Sequence, residues 1–277
     1  MKPGAVRLNV MDLGRTQEFY ERSLGLRQID RSAEMVRLGA EGSIAVELVE
    51  RPNAPPRPPR TTGLFHLAIL VPSRRDLALA LRRVLRSEWS LTGASDHLVS
   101  EALYLNDPEG NGIEVYRDRP REDWRYANGE LQMSTMPLDL EALVAESSHA
   151  NGEPAGMPHG TRIGHVHLNV SDLQRAESFY CGLLGFEVTV RSYPGALFVS
   201  TAGYHHHLGL NTWAGEGAPP PPARARGLSR FELLVDEQAE LQELEGRLNA
   251  AGIETRREDG GVRLADPSGN GILIRPR

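Results

Sequence analysis

The sequence is poor in cysteine, has no long apolar run and carries no excess of basic residues. The single cysteine, Cys181, excludes an internal disulfide and fits a reducing compartment. It lies in an apolar-periodic stretch without a charged partner that would activate a thiolate, which favours a packed helix residue over a nucleophile. No apolar run approaches the roughly 20 residues that span a bilayer, so we expect no membrane insertion.

Charge and the N-terminal pattern narrow the class of protein further. The 31 Lys and Arg residues are scattered among 37 Asp and Glu residues, for a net charge of −6. Without a basic stripe, a nucleic-acid partner is not expected. The first ten residues enter a strand pattern and show no signal-peptide pattern. We therefore expect a cytoplasmic protein whose partners are small molecules.

A long internal repeat organises the chain. Residues 13–26 recur as residues 173–186, with Leu, Arg, Phe-Tyr and Leu-Gly in the same places. Both segments have apolar residues at helical spacing. Asp12 and Asp172 precede them as candidate N-caps, and Gly25 and Gly185 fall where a C-terminal cap is expected. The repeat therefore predicts two equivalent helices.

A second repeat marks the ends of the repeating units. The sequence Asp-Pro-x-Gly-Asn-Gly-Ile at positions 107–113 recurs at 266–272, in each case a glycine-rich turn before a short strand. Further strands are predicted at 6–10, 64–71, 163–170 and 231–235, and helices at 76–85 and 238–251. Together these predict four modules of strand, helix and several strands, at about 4–50, 62–118, 162–214 and 227–277.

The modules predict an α+β protein of two domains, which 277 residues are enough to build. The N-terminal domain is predicted at 1–118 and the C-terminal domain at 161–277. Proline-rich stretches separate the two modules within each half. Residues 119–160, with a helix-prone segment at 138–146, are interpreted as the interdomain linker.

Four βαβββ modules with these helix and hairpin motifs resemble the vicinal oxygen chelate superfamily, which includes glyoxalase I, bleomycin-resistance proteins and extradiol dioxygenases. The resemblance covers nearly the whole chain. Stretches around residues 63–70, 94–104, 163–170 and 203–213 are similar to the four-module, catechol-2,3-dioxygenase-like proteins of bacteria. The resemblance implies a metal-dependent dioxygenase.

In that superfamily a metal lies in a cup formed by two modules, with ligands on the first and last strands. The aligned first-strand residues are Ala5, His66, His165 and Arg230. On the last strands Glu114 aligns with Leu273 and, less securely, with Glu47, whereas the third module offers Leu210 or Asn211. Neither half holds a complete ligand set.

Pairing the second module with the third brings together His66, Glu114 and His165, a set of two histidines and one carboxylate. This set leaves open positions on Fe(II) for substrate and O2, and it also accepts Mn(II). His167 faces the same side of its strand as His165 and is the alternative third ligand. The first and fourth modules would then form a metal-free cup with a structural role.

Three further residues are candidates for proton transfer. Tyr104 stands ten residues before Glu114, the spacing of a tyrosine near the metal in extradiol dioxygenases, although it could equally fill a sheet core. His206 aligns with the acid–base histidine of the family, on a predicted strand where His205 and His207 would face the other way. His97, just before the strand of Tyr104, is a weaker pocket candidate.

The resemblance implies a ring-cleaving dioxygenase that binds a small aromatic catechol or hydroquinone and O2. Fe(II) is the expected metal and Mn(II) the alternative. A glyoxalase-type isomerase or transferase, and a metal-free aromatic-binding protein, are rival functions on the same fold. A homodimer is common in the family and stays open here.

Overall fold

The computed structural model describes residues 1–147 and 156–277, and the four modules are present within them. Residues 148–155 of the predicted linker lie outside the described residues. The strands are β1 (Lys2–Val10), β2 (Arg27–Arg31), β3 (Met35–Ala40), β4 (Ser43–Glu50), β5 (Gly63–Leu70), β6 (Gly93–Asp96), β7 (Ser100–Asn106), β8 (Gly112–Asp118), β9 (Tyr126–Ala127), β10 (Glu130–Leu131), β11 (Met136–Pro137), β12 (Arg162–Asn169), β13 (Glu187–Val190), β14 (Ala196–Ser200), β15 (Leu208–Asn211), β16 (Gly227–Val235), β17 (Arg256–Glu258), β18 (Gly261–Ala265) and β19 (Gly271–Pro276).

Each large sheet joins a module of the first half to a module of the second. The first and fourth modules form an eight-stranded sheet in the order β17-β18-β19-β16-β1-β4-β3-β2. The second and third form a nine-stranded sheet in the order β11-β6-β7-β8-β5-β12-β15-β14-β13. At the centres, β1 pairs with β16 and β5 with β12, both antiparallel. The expected pairing of modules is therefore confirmed, while the division into domains 1–118 and 161–277 stays a prediction.

The central strands separate an apolar face from a functional one. On β5 the side chains of Leu67 and Ile69 enter a hydrophobic core shared by both sheets and the helices, while His66 and Ala68 alternate to the other face. β12 repeats the pattern, with Val166 in the same core. The nine-stranded sheet thus directs its polar side chains away from the main core.

The helices lie close to their predicted positions. They are α1 (Leu13–Phe19), α2 (Arg74–Arg86), α3 (Leu140–Glu146), α4 (Leu173–Glu177) and α5 (Gln238–Ala250). α1 and α4 each continue as a π-helical segment, Tyr20–Leu24 and Ser178–Leu183, which the repeat alone does not predict. Among the described residues, no helix is both long and apolar enough to span a bilayer.

The predicted caps of the two repeated helices are confirmed. The side chains of Asp12 and Asp172 accept hydrogen bonds from backbone N–H groups three residues later, both at 2.9 Å. Gly25 and Gly185 end the segments with φ of 81° and 84°, a conformation that favours glycine. Cys181 lies in the second segment, where burial raises the pKa of its thiol to about 11.

The two repeated motifs bind each other. Tyr20 donates to the Asp107 carboxylate of the next module at 3.3 Å, and Tyr180 donates to Asp266 at 2.9 Å. Each carboxylate also accepts hydrogen bonds from its own Gly-Asn-Gly turn. The Tyr–Asp hydrogen bond joins the Phe-Tyr helix to the Asp-Pro hairpin in both places, so the two motifs recur together.

Candidate metal centre

Three of the predicted ligands meet at the centre of the nine-stranded sheet. His66 lies on β5, Glu114 on the neighbouring β8, and His165 on β12, which pairs with β5 on its other edge. All three are buried, and their nitrogen and oxygen atoms lie within 4.8 Å of one another. In the part of the chain that the structure describes, this is the one group of at least three His, Cys, Asp or Glu residues close enough to hold a metal ion.

The triangle of ligand atoms has nearly equal sides. His66 Nε2 lies 3.0 Å from Glu114 Oε2, His165 Nε2 lies 3.2 Å from the same oxygen, and the two nitrogens are 3.3 Å apart. Ligands at about 2.1 Å from a metal, at right angles to each other, would be separated by roughly 3.0 Å. The spacing therefore fits one face of an octahedron and leaves the opposite face open.

The ionisation of the cluster suits metal binding. Burial lowers the pKa of His165 to about 4, so its imidazole is neutral at neutral pH. Burial raises the pKa of the Glu114 carboxyl, but His165 and His66 outweigh it and hold the pKa well below its usual value. Two imidazoles and one carboxylate are the ligand types that Fe(II) and Mn(II) accept.

A comparison of the buried glutamates tests whether the cluster needs a cation. Glu47, Glu101 and Glu232 each pair with at least one arginine, as in the 2.7 Å contact of Arg117 with Glu101. Glu114 is 2% exposed, and its ion-pair partners in the described structure are two imidazoles. A buried carboxylate without a full counter-charge is costly, so a divalent cation fits this site.

His167, the alternative third ligand, lies outside the cluster. It faces His66 across the β5–β12 pair, and the two rings lie edge to face with centroids 4.9 Å apart. Its ring rests on Gly209 of β15, where a Cβ atom would come within 2.8 Å of it. The register pairs His167 with Gly209, so the last-strand place in this module is Gly209 and not the predicted Leu210 or Asn211. Either assignment leaves the third module without a carboxylate.

Tyr104 and His97 form a hydrogen-bonded pair on the β7 side of the cluster. Tyr104 faces Glu114 across the β7–β8 pair. His97 Nδ1 lies 2.7 Å from the Ser134 carbonyl, which can only accept, so this nitrogen carries the proton. His97 Nε2 lies 2.6 Å from the Tyr104 hydroxyl. The pair therefore forms a continuous hydrogen-bonded path from the Ser134 carbonyl to the edge of the cluster.

The prediction that His205, His206 and His207 alternate along a strand is wrong. β15 begins at Leu208, and the three histidines lie in the preceding loop, where the chain does not alternate. His206 lines the pocket, with its ring 4.2 Å from that of His165. His207 turns away and contacts Ser200 at 2.9 Å.

A chain of hydrogen bonds fixes the orientation of His206. Asp118 Oδ1 accepts from His205 Nε2 at 2.9 Å, and the Nδ1 atoms of His205 and His206 lie 2.7 Å apart. One of these two Nδ1 atoms donates to the other, and the bond leaves His206 Nε2 free of partners in this chain of contacts. Asp118 and His205 were missed as site residues, since their contact spans 87 positions of the sequence.

The cluster lies in a cavity of about 380 Å³. Phe65, Phe198 and Trp213 line it, together with residues 133–135 of the segment interpreted as a linker. This segment reaches the sheet because β11 pairs with β6. The sequence of this segment is charged and contains glycine and proline, and it did not predict a contribution to the cavity.

The cup of the first and fourth modules is filled by ion pairs. Arg230, at the place equivalent to the ligand histidines, is 1% exposed and binds Glu258 and Asp259. Glu47, equivalent to Glu114, binds Arg7 at 2.6 Å and Arg37 at 2.8 Å. Guanidinium groups thus occupy this cup where the other gathers imidazoles.

Comparison with known protein families agrees with the fold. The model of the Glyoxalase/Bleomycin resistance protein/Dioxygenase superfamily matches residues 2–115 and 162–274. The chain belongs to this superfamily. The catechol-2,3-dioxygenase of Bacillus subtilis (strain 168) is 42% identical over 269 residues, which cover 95% of this chain and 93% of the relative.

Solved structures of the superfamily share the fold at low sequence identity. A proposed dioxygenase from Bacillus subtilis subsp. subtilis str. 168 has a TM-score of 0.67 at 12% identity, covering 100% of this chain and 85% of that one. Glyoxalase I from Zea mays has a TM-score of 0.60 at 16% identity, covering 99% and 91%. At such identities these likenesses show the fold alone.

Proposed function

We propose that the protein is a ring-cleaving, extradiol-type dioxygenase that acts on a catechol or hydroquinone-like aromatic with O2. His66, Glu114 and His165 would hold one Fe(II), with Mn(II) as the alternative metal. The observation that carries the proposal is the convergence of two imidazoles and a carboxylate, 3.0–3.3 Å apart, inside an aromatic-lined cavity. The 42% identity to a catechol-2,3-dioxygenase supports the same chemistry.

The metal, when bound, would supply Lewis acidity toward the substrate diol and would relay to O2 the electrons that the diol gives up. His66, Glu114 and His165 would hold it against the sheet, and substrate and O2 would approach through the cavity. Aromatic side chains around that face limit the access of water and hold the ring of the substrate by edge and face contacts. Phe65 and Phe198, which line the cavity, would serve this role.

Proton transfer would fall to residues on either side of the cluster. The Tyr104 hydroxyl, 2.6 Å from His97 Nε2, would bind a substrate hydroxyl and share its proton with His97. On the other side, His206 would act as the base for the second hydroxyl and return the proton later. Asp118 and His205 would hold the His206 ring in position.

Anaerobic purification, metal analysis and O2 uptake with a panel of catechols and hydroquinones test the proposal. We expect about one iron or manganese per chain and O2 consumption that requires the diol, with formation of a ring-opened product. Bound metal without O2 uptake would contradict the proposal and indicate an isomerase or transferase. Absence of bound metal, with an aromatic ligand still retained, would indicate a binding protein.

A further inference from the structure

The cavity around the proposed metal site carries almost no fixed charge. Among the described residues that line it, the only one from the group Asp, Glu, Lys and Arg is Glu114, which belongs to the ligand cluster. Apart from its histidines, the other polar side chains on its walls are hydroxyl and amide groups, those of Thr92, Ser95, Tyr104, Asn106, Ser134, Thr135 and Tyr193. An anionic group on a ligand would therefore find no lysine or arginine on the described walls.

The scarcity of cations is particular to this cavity. The chain has 31 Lys and Arg residues, and the cup of the other sheet gathers Arg7, Arg37 and Arg230. A separate cleft between the two sheets is lined by five cationic side chains: Lys2, Arg121, Arg162, Arg275 and Arg277. Composition therefore does not explain why the described walls of the metal cavity lack them.

The ring nitrogens of His97 are both engaged within the protein. Its Nδ1 lies 2.7 Å from the Ser134 carbonyl and its Nε2 lies 2.6 Å from the Tyr104 hydroxyl, so neither nitrogen is free to bind a carboxylate of a ligand. The rings of His66 and His165 point their Nε2 atoms at the cluster. Their lone pairs are committed there when a metal is bound.

One side of the cavity is a continuous aromatic wall, which consists of Phe65, His167, Tyr193, Phe198 and Trp213. Neighbouring rings meet edge to face or tilted, with centroid separations from 5.0 Å for Phe65–His167 to 6.3 Å for Tyr193–Trp213. Phe65 and Trp213 remain 41% and 45% exposed. Large apolar side chains left open at a cavity are suited to contact with an apolar ligand.

We propose, on the basis of the proposed function, that the substrate is a dihydroxybenzene whose ring substituents are uncharged and apolar. The aromatic wall would select such a ring by burying its substituent. A carboxylate on the ring would lose its hydration on entering the cavity. The described walls hold no cation to compensate for that desolvation cost. A protein that used a carboxylated diol would be expected to place an arginine or lysine within reach of it.

Matched substrates separate charge from shape. The acid 3,4-dihydroxybenzoate and its amide, 3,4-dihydroxybenzamide, have the same number of heavy atoms and differ in charge, while 4-methylcatechol provides the apolar reference. We expect kcat/KM to be highest for 4-methylcatechol and at least about 100-fold lower for the acid than for the amide, which corresponds to about 2.7 kcal/mol. Binding of the acid and the amide to the metal-loaded protein without O2 should show the same order.

An introduced cation provides the reciprocal test. Thr135 lines the cavity and is exposed, so a long side chain can enter there without disturbing the core. Thr135→Arg should raise kcat/KM for the acid by about tenfold relative to Thr135→Gln, because each tenfold change needs only about 1.4 kcal/mol. Both variants lose the hydrogen bond of Thr135 to Tyr193, so the difference reports the charge.

Three outcomes would overturn the inference. Equal kcat/KM for the acid and the amide in the unchanged protein would show that charge is not selected, while leaving the dioxygenase proposal intact. A Thr135→Gln variant that gains as much activity on the acid as Thr135→Arg would remove the electrostatic reason. Failure to consume O2 with any of these diols, despite bound metal, would instead refute the proposed function, and the inference would fall with it.

Discussion

Replacing Glu114 with glutamine provides the sharpest test of the proposed metal site. The change keeps the shape of the side chain but removes the charge that neutralises part of the bound cation. Glu114 is 2% exposed and supplies the oxygen nearest both imidazoles, at 3.0 and 3.2 Å. We therefore expect the Glu114→Gln variant to lose stoichiometric metal and turnover together.

The loss of metal binding can be measured as a change in melting temperature. A metal that binds only the folded chain stabilises it by about 2.7 kcal/mol at a free concentration 100 times its dissociation constant. For a chain of this length, each kcal/mol raises the melting temperature by about 2–4 °C, so the unchanged protein should gain roughly 5–10 °C on adding Fe(II) without O2. Glu114→Gln should gain about 1 °C or less. Differential scanning fluorimetry with and without metal, alongside elemental analysis, measures both quantities.

Glu47 provides the matched control, because it occupies the equivalent place on β4 of the other sheet. Glu47→Gln breaks charge-assisted hydrogen bonds with Arg7 and Arg37 and should cost about 1.5–3 kcal/mol of stability. It should nevertheless keep the whole metal-induced rise. A Glu114→Gln variant that retains that rise, or a Glu47→Gln variant that loses it, would refute the assignment of the ligands.

Other predictions address the remaining residues of the site and the Tyr–Asp hydrogen bonds that join the repeated helices to the hairpins. His165→Asn should lose metal, whereas His167→Asn should keep about one metal per chain; the reverse result by elemental analysis would exchange their roles. His205→Phe preserves a buried ring but breaks the contacts at 2.7 and 2.9 Å, so kcat should fall about 10–100-fold with unchanged metal content. An unchanged kcat would show that His205 only packs. Tyr180→Phe should cost about 1–2 kcal/mol in urea unfolding, more than Tyr20→Phe, because its hydrogen bond is 2.9 Å rather than 3.3 Å; equal costs would contradict this reasoning.

The repeats made the fold predictable because each one has a local physical cause. The N-caps at Asp12 and Asp172 and the left-handed glycines after the helices act over a few residues, so their sequence pattern is direct evidence of geometry. The π-helical continuations were not predictable in this way. A π-helical turn is a local insertion within an α-helix, and the apolar pattern of so short a segment does not distinguish the two.

The candidate ligands could be located because alignment of the modules compares equivalent strand positions. His66 and His165 share a place that is Ala5 and Arg230 elsewhere, and the structure brings both histidines to Glu114. The histidine run was harder to interpret, since its residues lie in a loop before β15. Side chains alternate between the two faces only within a strand, so this rule could not predict the directions of the His205 and His207 side chains.

The walls of the cavity were the least predictable part, since they come from segments with no shared motif. Ser134 reaches His97 from the segment interpreted as a linker, and Asp118 reaches His205 across the two halves of the chain. Such contacts depend on the pairing of β11 with β6 and of β5 with β12. Neither pairing has a local signature.

The two cups show how one fold can support different chemistry. Each places a glutamate, Glu114 or Glu47, at the same point of a buried last strand, where its charge must be neutralised. Around Glu47 arginines provide that charge and fill the space, so that cup stabilises the fold. Around Glu114 two imidazoles border an open cavity, so a cation and a ligand have room there. We therefore infer that the histidines at these first-strand places, which are Ala5 and Arg230 in the other sheet, assign the proposed reaction to the nine-stranded sheet.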